Sequence, residues 1–211
     1  MSNFDDLIER LSGDATSVKP APHPLMLSVK WIGWALAYIA LALMLSGLRP
    51  DWIHKLHEPL FLAEVAVLAI MFIAASISAA ALAFPDLHQM NRIALSPLIA
   101  FILLLIILYV AWRADIPPAL LPRQSFECAL SIMVLAVLPA IWMLTQIRKF
   151  ASTHLRMAGS VAMLAAFSIG ALWLRLYEQN DSVLHVIEWH YLPMFAFSAA
   201  GLWLGKRVLK W

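Results

Sequence analysis

Residues 59–84 read PLFLAEVAVLAIMFIAASISAAALAF, and this stretch contains one charged residue, Glu64. A helix rises about 1.5 Å per residue and must cross about 30 Å of hydrocarbon, so about 20 apolar residues are enough for one membrane span. The stretch does not alternate between polar and apolar residues, as the strand of a membrane barrel would. We therefore predict that residues 59–84 form a transmembrane helix.

Five further stretches of the chain have the same character. The six predicted spans are Val29–Leu48, Pro59–Phe84, Ile93–Trp112, Phe126–Gln146, Leu155–Tyr177 and Glu188–Val208. The chain has 211 residues, of which 63% are hydrophobic and 13% are charged. Soluble domains carry about 25% charged residues, so this composition favours a protein solvated by lipid. The sequence predicts an all-α polytopic membrane protein, a bundle of six transmembrane helices.

The distribution of basic residues indicates the orientation of these spans. Cytoplasmic loops of membrane proteins carry an excess of Lys and Arg. With the N-terminus inside, ten of the 15 basic residues are cytoplasmic and five are on the outer side. The five outer residues are Arg49, Lys55, Arg113, Arg123 and Arg175. We expect both termini to be cytoplasmic.

Small residues in the last two spans predict close helix packing. In the fifth span they recur at four-residue spacing, at Ala158, Ala162, Ala166 and Gly170. The sixth span carries Gly201 and Gly205 in a GxxxG pattern. Such residues let helix backbones approach closely in lipid. We expect them to pack the bundle internally, although a GxxxG pattern also suits a homodimer.

The N-terminal segment has the pattern of a short amphipathic helix. Its apolar side chains fall at i, i+3, i+4 and i+7, at Phe4, Leu7, Ile8 and Leu11. Its acidic side chains are Asp5, Asp6 and Glu9. Ser2 and Asp5 have the spacing of a capping box, and Gly13 would end the helix.

A helix of this length is not stable alone in water, so we expect it to fold on a partner. Its apolar stripe would lie in a groove, and its carboxylates would face a basic rim. The alternative is a helix that lies on the membrane, but such helices are usually basic, and anionic headgroups would repel this one. Residues 14–24 are rich in proline and predict an extended spacer. The predicted organisation is a cytoplasmic tail over residues 1–28 and a six-helix transmembrane domain over 29–211.

Several potential metal ligands fall on the predicted outer side. Cys, His and carboxylate are ligands of zinc and copper, and the candidates are Cys128, Glu178, His185 and His190. The first outer loop adds His54, His57 and Glu58. The alternative is that all of these are solvated loop residues. We do not expect Cys128 to be catalytic, because Glu127 beside it disfavours the thiolate.

Several features of the chain resemble the NrsF (negative regulator of sigma F) family of six-span anti-sigma factors of the bacterial inner membrane. They are Asp5-Asp6-Leu7-Ile8 before a proline-rich spacer, Cys128 opening the fourth span, Pro139 within it, Arg156-Met157-Ala158-Gly159 entering the fifth span, and the basic C-terminus from Gly205 to Trp211. The resemblance implies that the tail sequesters an extracytoplasmic-function sigma factor and that Asp5, Asp6, Leu7 and Ile8 contact it.

The resemblance also implies a periplasmic sensing site, from which this chain departs. Members generally carry two cysteines there, one at the start of the fourth span and one after the fifth. Cys128 matches the first, whereas Tyr177 or Glu178 fills the second position, and the chain has one cysteine. An intramolecular disulfide is therefore excluded as the switch. A response would need an intermolecular bond or a transient metal ion held by Cys128, Glu178 and His190.

We therefore expect a membrane-anchored anti-sigma factor with no enzymatic activity, no resident cofactor and no direct contact with nucleic acid. The alternative is a small integral-membrane enzyme or transporter that uses the outer Cys, His and Glu residues. A third option is an accessory subunit of a larger membrane complex. The capped acidic helix on a spacer favours the anti-sigma factor, since an enzyme or transporter has little need of it. The sequence leaves the oligomeric state open.

Overall fold

The computed structural model describes residues 2–13, 21–85, 91–114 and 125–210. Every regular element within these ranges is helical, so the all-α prediction is confirmed. The elements are α1 Ser2–Gly13, α2 Pro24–Ser46, α3 Trp52–Lys55, α4 Pro59–Leu82, α5 Asn91–Ala94, α6 Ser96–Ala114, α7 Phe126–Ile147, α8 Leu155–Tyr177, α9 Val183–Val186, a π-helical turn Ile187–Tyr191, and α10 Leu192–Val208. Most of the predicted spacer, residues 14–20, lies outside the described residues.

Five helices are long and apolar enough to cross a membrane. They are Pro24–Ser46, Pro59–Leu82, Arg92–Ala114, Phe126–Ile147 and Leu155–Tyr177. Large apolar side chains on their outer faces are exposed, among them Met44 at 83% and Val134 at 68%, as expected of surfaces that face lipid. The prediction of a polytopic membrane protein is confirmed at this level.

The first of these helices begins earlier than the sequence predicted. Pro24 lies in the first turn of α2, where the missing N–H of proline costs no hydrogen bond. The imidazole Nδ1 of His23 accepts a hydrogen bond from the Leu25 N–H at 3.2 Å and caps the same end. Gly47, with φ of +84°, ends the helix, and its N–H donates to the Leu43 carbonyl at 2.8 Å. That positive φ explains glycine at this position, because a Cβ would be strained there.

The sixth predicted span, Glu188–Val208, does not form one regular α-helix. A π-helical turn occupies Ile187–Tyr191, and the α-helix that follows, α10, has 17 residues. Helical residues nevertheless continue from Val183 to Val208 without a break. The π turn thus divides this segment, and six spans remain a prediction.

Helix α8 occupies the middle of the bundle, where it packs against α10, α4 and α7. In an apolar stretch of 18 residues within α8, 67% is buried, whereas the corresponding share in the other four candidate spans is at most 44%. Its contact with α10 is a glycine contact: a Cβ built on Gly159 would lie 2.5 Å from the Gly201 carbonyl oxygen and 2.5 Å from the Gly205 Cα. The GxxxG pattern therefore packs within this chain, as the sequence predicted.

Alternating helix directions give the bundle two ends. We call one the Cys128 end; it holds the start of α7, the end of α8, and α9. We call the other the tail end; it holds the start of α2 and the end of α10. Two serines join connections at the tail end: Ser78 Oγ donates to the Ala94 carbonyl at 2.8 Å, and Ser152 Oγ donates to the Leu82 carbonyl at 2.6 Å.

A candidate Cys/His site and a buried ion network

Cys128 lies in the first turn of α7, whose start is at the Cys128 end. Its N–H donates to the Ser125 carbonyl at 2.9 Å, which opens the helix. The side chain points into the bundle and is 7% exposed. A lone buried cysteine is usually a small apolar residue of the core, so its neighbours decide its role.

Two histidines lie beside this thiol. His185 is 1% exposed and His190 is 0% exposed, so both rings are inside the protein. His185 Nε2 lies 3.7 Å from Cys128 Sγ, and the two imidazole centroids are 5.3 Å apart at 77°. One donor atom from each of the three residues can be chosen so that all lie within 4.8 Å of one another. We call these three residues the Cys/His cluster.

The π-helical turn explains how the two histidines come together. In an α-helix of 3.6 residues per turn, residues five apart point about 140° away from each other. A π turn closes i→i+5 hydrogen bonds, so residues five apart come almost into line. The π turn Ile187–Tyr191 begins two residues after His185 and includes His190, and it presents His190 on the side of His185. Single π turns within α-helices occur frequently at functional sites.

Three ring nitrogens of the Cys/His cluster have no hydrogen-bond partner among the described residues. They are Nδ1 of His185 and both nitrogens of His190. A buried polar atom without a partner costs about 1–3 kcal/mol, and most such atoms in native proteins are bonded. A neutral imidazole is the form that binds a metal ion.

Glu178, the third residue that the sequence grouped with Cys128 and His190, is not part of the Cys/His cluster. Its side chain is half-buried just after α8, and its Oε1 accepts from the Asn180 N–H at 3.4 Å. It is close enough to act electrostatically on the His185 ring. The residues of the first loop also lie apart: His54 and His57 are exposed, and His57 Nδ1 is 2.8 Å from the Ile53 carbonyl.

A network of buried charges lies at the same end of the bundle. Glu64 of α4 accepts a hydrogen bond from Arg175 of α8 at 2.9 Å and another from the Tyr191 hydroxyl of the π turn. Glu64 is 8% exposed and Arg175 is 3% exposed. A carboxylate within a membrane span is costly unless it is paired, and Arg175 is the partner of Glu64.

Asp181 extends this network to the first loop. It accepts from Arg175 at 3.1 Å and from both terminal nitrogens of Arg49 at 3.0 and 2.8 Å, and Lys55 Nζ lies 2.9 Å away. Burial opposes its ionisation, but the hydrogen bonds from Arg49 and Lys55 hold the pKa of Asp181 well below its usual range. The Arg49 N–H also donates to the Leu176 carbonyl at 3.0 Å. Together, Glu64, Arg175, Asp181, Arg49 and Lys55 make up what we call the ion network.

The ion network and the Cys/His cluster share one structural element. His190 and Tyr191 are adjacent in the π turn. Tyr191 donates a hydrogen bond to Glu64, and His190 faces Cys128. The ring of Phe61 lies beneath both guanidinium groups, 5.2 Å from Arg49 and 5.0 Å from Arg175. The π turn therefore connects the Cys/His cluster to the contact between α4, α8 and the π turn itself.

Helix α1 presents a different kind of surface. Its four predicted contact residues are exposed: Phe4 at 79%, Leu7 at 51%, Ile8 at 64% and Leu11 at 64%. Asp5 and Asp6 are exposed as well. The predicted helix is confirmed over Ser2–Gly13, while the contacts of its side chains with a partner stay a prediction.

Comparison with known proteins gives one family. The model of NrsF, negative regulator of sigma F, matches residues 11–211. Phe4 to Ile8 precede the matched range, so the match rests on the transmembrane bundle and the spacer. No curated protein matches the chain, and no solved structure does.

Proposed function

The chain belongs to the NrsF family of negative regulators of sigma factors, and from this membership we propose that its tail sequesters an extracytoplasmic-function sigma factor at the inner membrane. Negative regulation of a sigma factor follows from the family. The contact surface, the class of sigma factor and the route of release are our proposals.

The exposed stripe of α1 is the observation that carries the tail proposal. Four large apolar side chains are exposed on one face of a helix of 12 residues. Peptides of this type bind by laying the apolar face in a groove, with anchors at i, i+3, i+4 and i+7. The acidic residues on the flanks would meet a basic rim and steer the encounter. Residues 1–28 act as the sigma-binding unit, and residues 29–211 hold it at the membrane.

We place both termini in the cytoplasm, with six spans. The helical residues from Val183 to Val208 support the sixth, because 26 residues (208 − 183 + 1) at about 1.5 Å each exceed the hydrocarbon thickness. Lys206 and Arg207 in the last turn of α10 agree with a cytoplasmic end. Reporter fusions after Lys149 and after Lys210 should both read cytoplasmic, and a periplasmic reading at Lys210 would remove the sixth span.

The substitution Leu7→Asp tests the docking surface in the full-length protein. A carboxylate in an apolar groove costs several kcal/mol, so binding should fall below detection. The matched control is Ser12→Asp, which adds the same charge to the same helix at a position that the stripe does not include. Purified sigma factors of the source bacterium are tested one by one against the detergent-solubilised variants. Equal affinity of wild type and Leu7→Asp for the sigma factor that wild type binds would refute the docking model.

A further inference from the structure

The Cys/His cluster has the donor atoms and spacing of a metal site. Around tetrahedral zinc, Zn–S of about 2.3 Å and Zn–N of about 2.0–2.1 Å place sulfur and nitrogen about 3.5 Å apart. Cys128 Sγ and His185 Nε2 are 3.7 Å apart, and the third donor completes a group within 4.8 Å. A movement of a few tenths of an ångström would bring Cys128 and His185 to the spacing of one ion, and His190 would have to move by about 1 Å to join them.

The unpartnered imidazoles point to a ligand rather than to a core role. A histidine kept for packing usually donates or accepts at least one hydrogen bond, since its ring nitrogens are costly to bury unpaired. His190 is fully buried, and among the described residues neither of its ring nitrogens has a hydrogen-bond partner, nor does Nδ1 of His185. A bound cation would take one of the two unpaired nitrogens of His190, and at His185 it would take Nε2, the nitrogen that already contacts Cys128 Sγ.

We propose that Cys128, His185 and His190 bind one thiophilic metal ion with a filled d shell, such as Zn²⁺, Cd²⁺ or Cu⁺. One thiolate and two neutral imidazoles suit these ions, whereas Mg²⁺ and Ca²⁺ require oxygen ligands. Three protein ligands leave one tetrahedral position, where Glu178 or a water molecule would bind. The second thiol expected of this family is thus replaced here by two imidazoles.

Metal binding would act on the bundle through the π turn. Closing the three donors on an ion pulls His190 towards Cys128, and Tyr191 beside it moves relative to Glu64. Helix α10 follows directly after the turn, and its glycine contact with α8 allows no sliding without a shift of both backbones. That this movement releases the sigma factor rests on the proposed function; the metal site itself does not.

Metal binding is measured on the purified full-length protein in detergent, stripped with a chelator, with no sigma factor present. Titration with Cd²⁺ follows the ultraviolet charge-transfer band of a thiolate–cadmium bond, and competition with a chromogenic chelator gives the affinity for Zn²⁺. We expect one equivalent per chain. Loss of a group that only supports a metal ligand weakens metal affinity by about 10–100-fold. Cys128→Ser and His190→Leu should each weaken metal binding by more than that. His54→Ala, an exposed histidine at the same end, should bind as wild type.

A second readout separates a ligand from a structural histidine. In metal-free protein His190→Leu removes two unsatisfied polar atoms, so its melting temperature should stay equal to that of wild type or rise. Cd²⁺ should raise the melting temperature of wild type and leave that of His190→Leu unchanged. Absence of one-equivalent binding by wild type, or wild-type affinity in both Cys128→Ser and His190→Leu, would overturn the site. Because no sigma factor is used, that result leaves the tail proposal intact.

Discussion

The Cys128 end buries polar side chains that are usually exposed, whereas helix α1 exposes apolar side chains that are usually buried. At the Cys128 end, arginines, a glutamate and two histidines are buried in a membrane bundle. On α1, four large apolar side chains are exposed. The arginines and the glutamate pair with other parts of the same chain, and we propose an ion for the two histidines. For the apolar stripe of α1 we propose a partner outside the chain. We therefore expect the first region to govern folding and metal sensing, and the second to supply the contact with the sigma factor.

Removal of Arg175 should give the largest loss of stability, and it is the strongest test of these two roles. Arg175→Met leaves Glu64 buried without its cation, and breaking one partner of a buried pair costs about 3–5 kcal/mol. Thermal unfolding in detergent should show this loss of stability. The matched control is Arg113→Met, at an exposed arginine of α6 near the same end. Below the melting temperature the folded variant should still bind the sigma factor through α1. Normal stability with lost sigma binding would contradict this assignment of roles, because it would give Arg175 a part in sigma binding and none in stability.

The substitution Gly159→Ala tests the contact of α8 with α10, which lies between the two regions. The new Cβ would meet the backbone of Gly201 and Gly205, which cannot rotate away as a side chain could. Such overpacking costs about 1–3 kcal/mol. Gly33→Ala is the matched control, because a Cβ there meets nothing within 4 Å. A melting temperature of Gly159→Ala equal to that of Gly33→Ala would mean that the helices are not in glycine contact.

The sequence predicted what depends on local periodicity and composition. Long apolar stretches predicted five helices that are long and apolar enough to cross a membrane, while the sixth predicted span is divided by the π turn. The i, i+3, i+4, i+7 pattern predicted the apolar stripe of α1, and the spacing of small residues predicted the internal packing of α8 and α10.

The rest depends on contacts between segments distant in sequence. The sequence placed Arg175 at the outer end of the fifth span but gave no sign that it pairs with Glu64, 111 positions away in the chain. Asp181 and Arg49 are 132 positions apart and carried no signal as a pair. His185 and His190 are five residues apart, and in an α-helix side chains at this spacing point away from each other. The π turn that aligns them has no signature in composition.

The smallest predicted effect concerns the acidic flank of α1. Asp5→Lys together with Asp6→Lys should reduce the rate of association with the sigma factor by about tenfold at low salt and weaken its salt dependence. The dissociation rate should change little, because the apolar anchors remain. Asp5→Asn with Asp6→Asn is the control for loss of charge without reversal, and it should have an intermediate rate. Stopped-flow association at two ionic strengths measures both, and a rate that does not respond to either variant would exclude a basic rim on the partner.

The central claim is that the Cys/His cluster and α1 are two coupled sites on one molecule. Its most direct measurement is the affinity of the reconstituted full-length protein for its sigma factor, with and without saturating Cd²⁺, for wild type and His190→Leu. Allosteric couplings of 1–3 kcal/mol change affinity by about 5–150-fold, so Cd²⁺ should weaken sigma binding by wild type within that range. In His190→Leu, Cd²⁺ should have no effect on an otherwise normal affinity. Equal sigma affinity of wild type with and without bound Cd²⁺ would contradict the account.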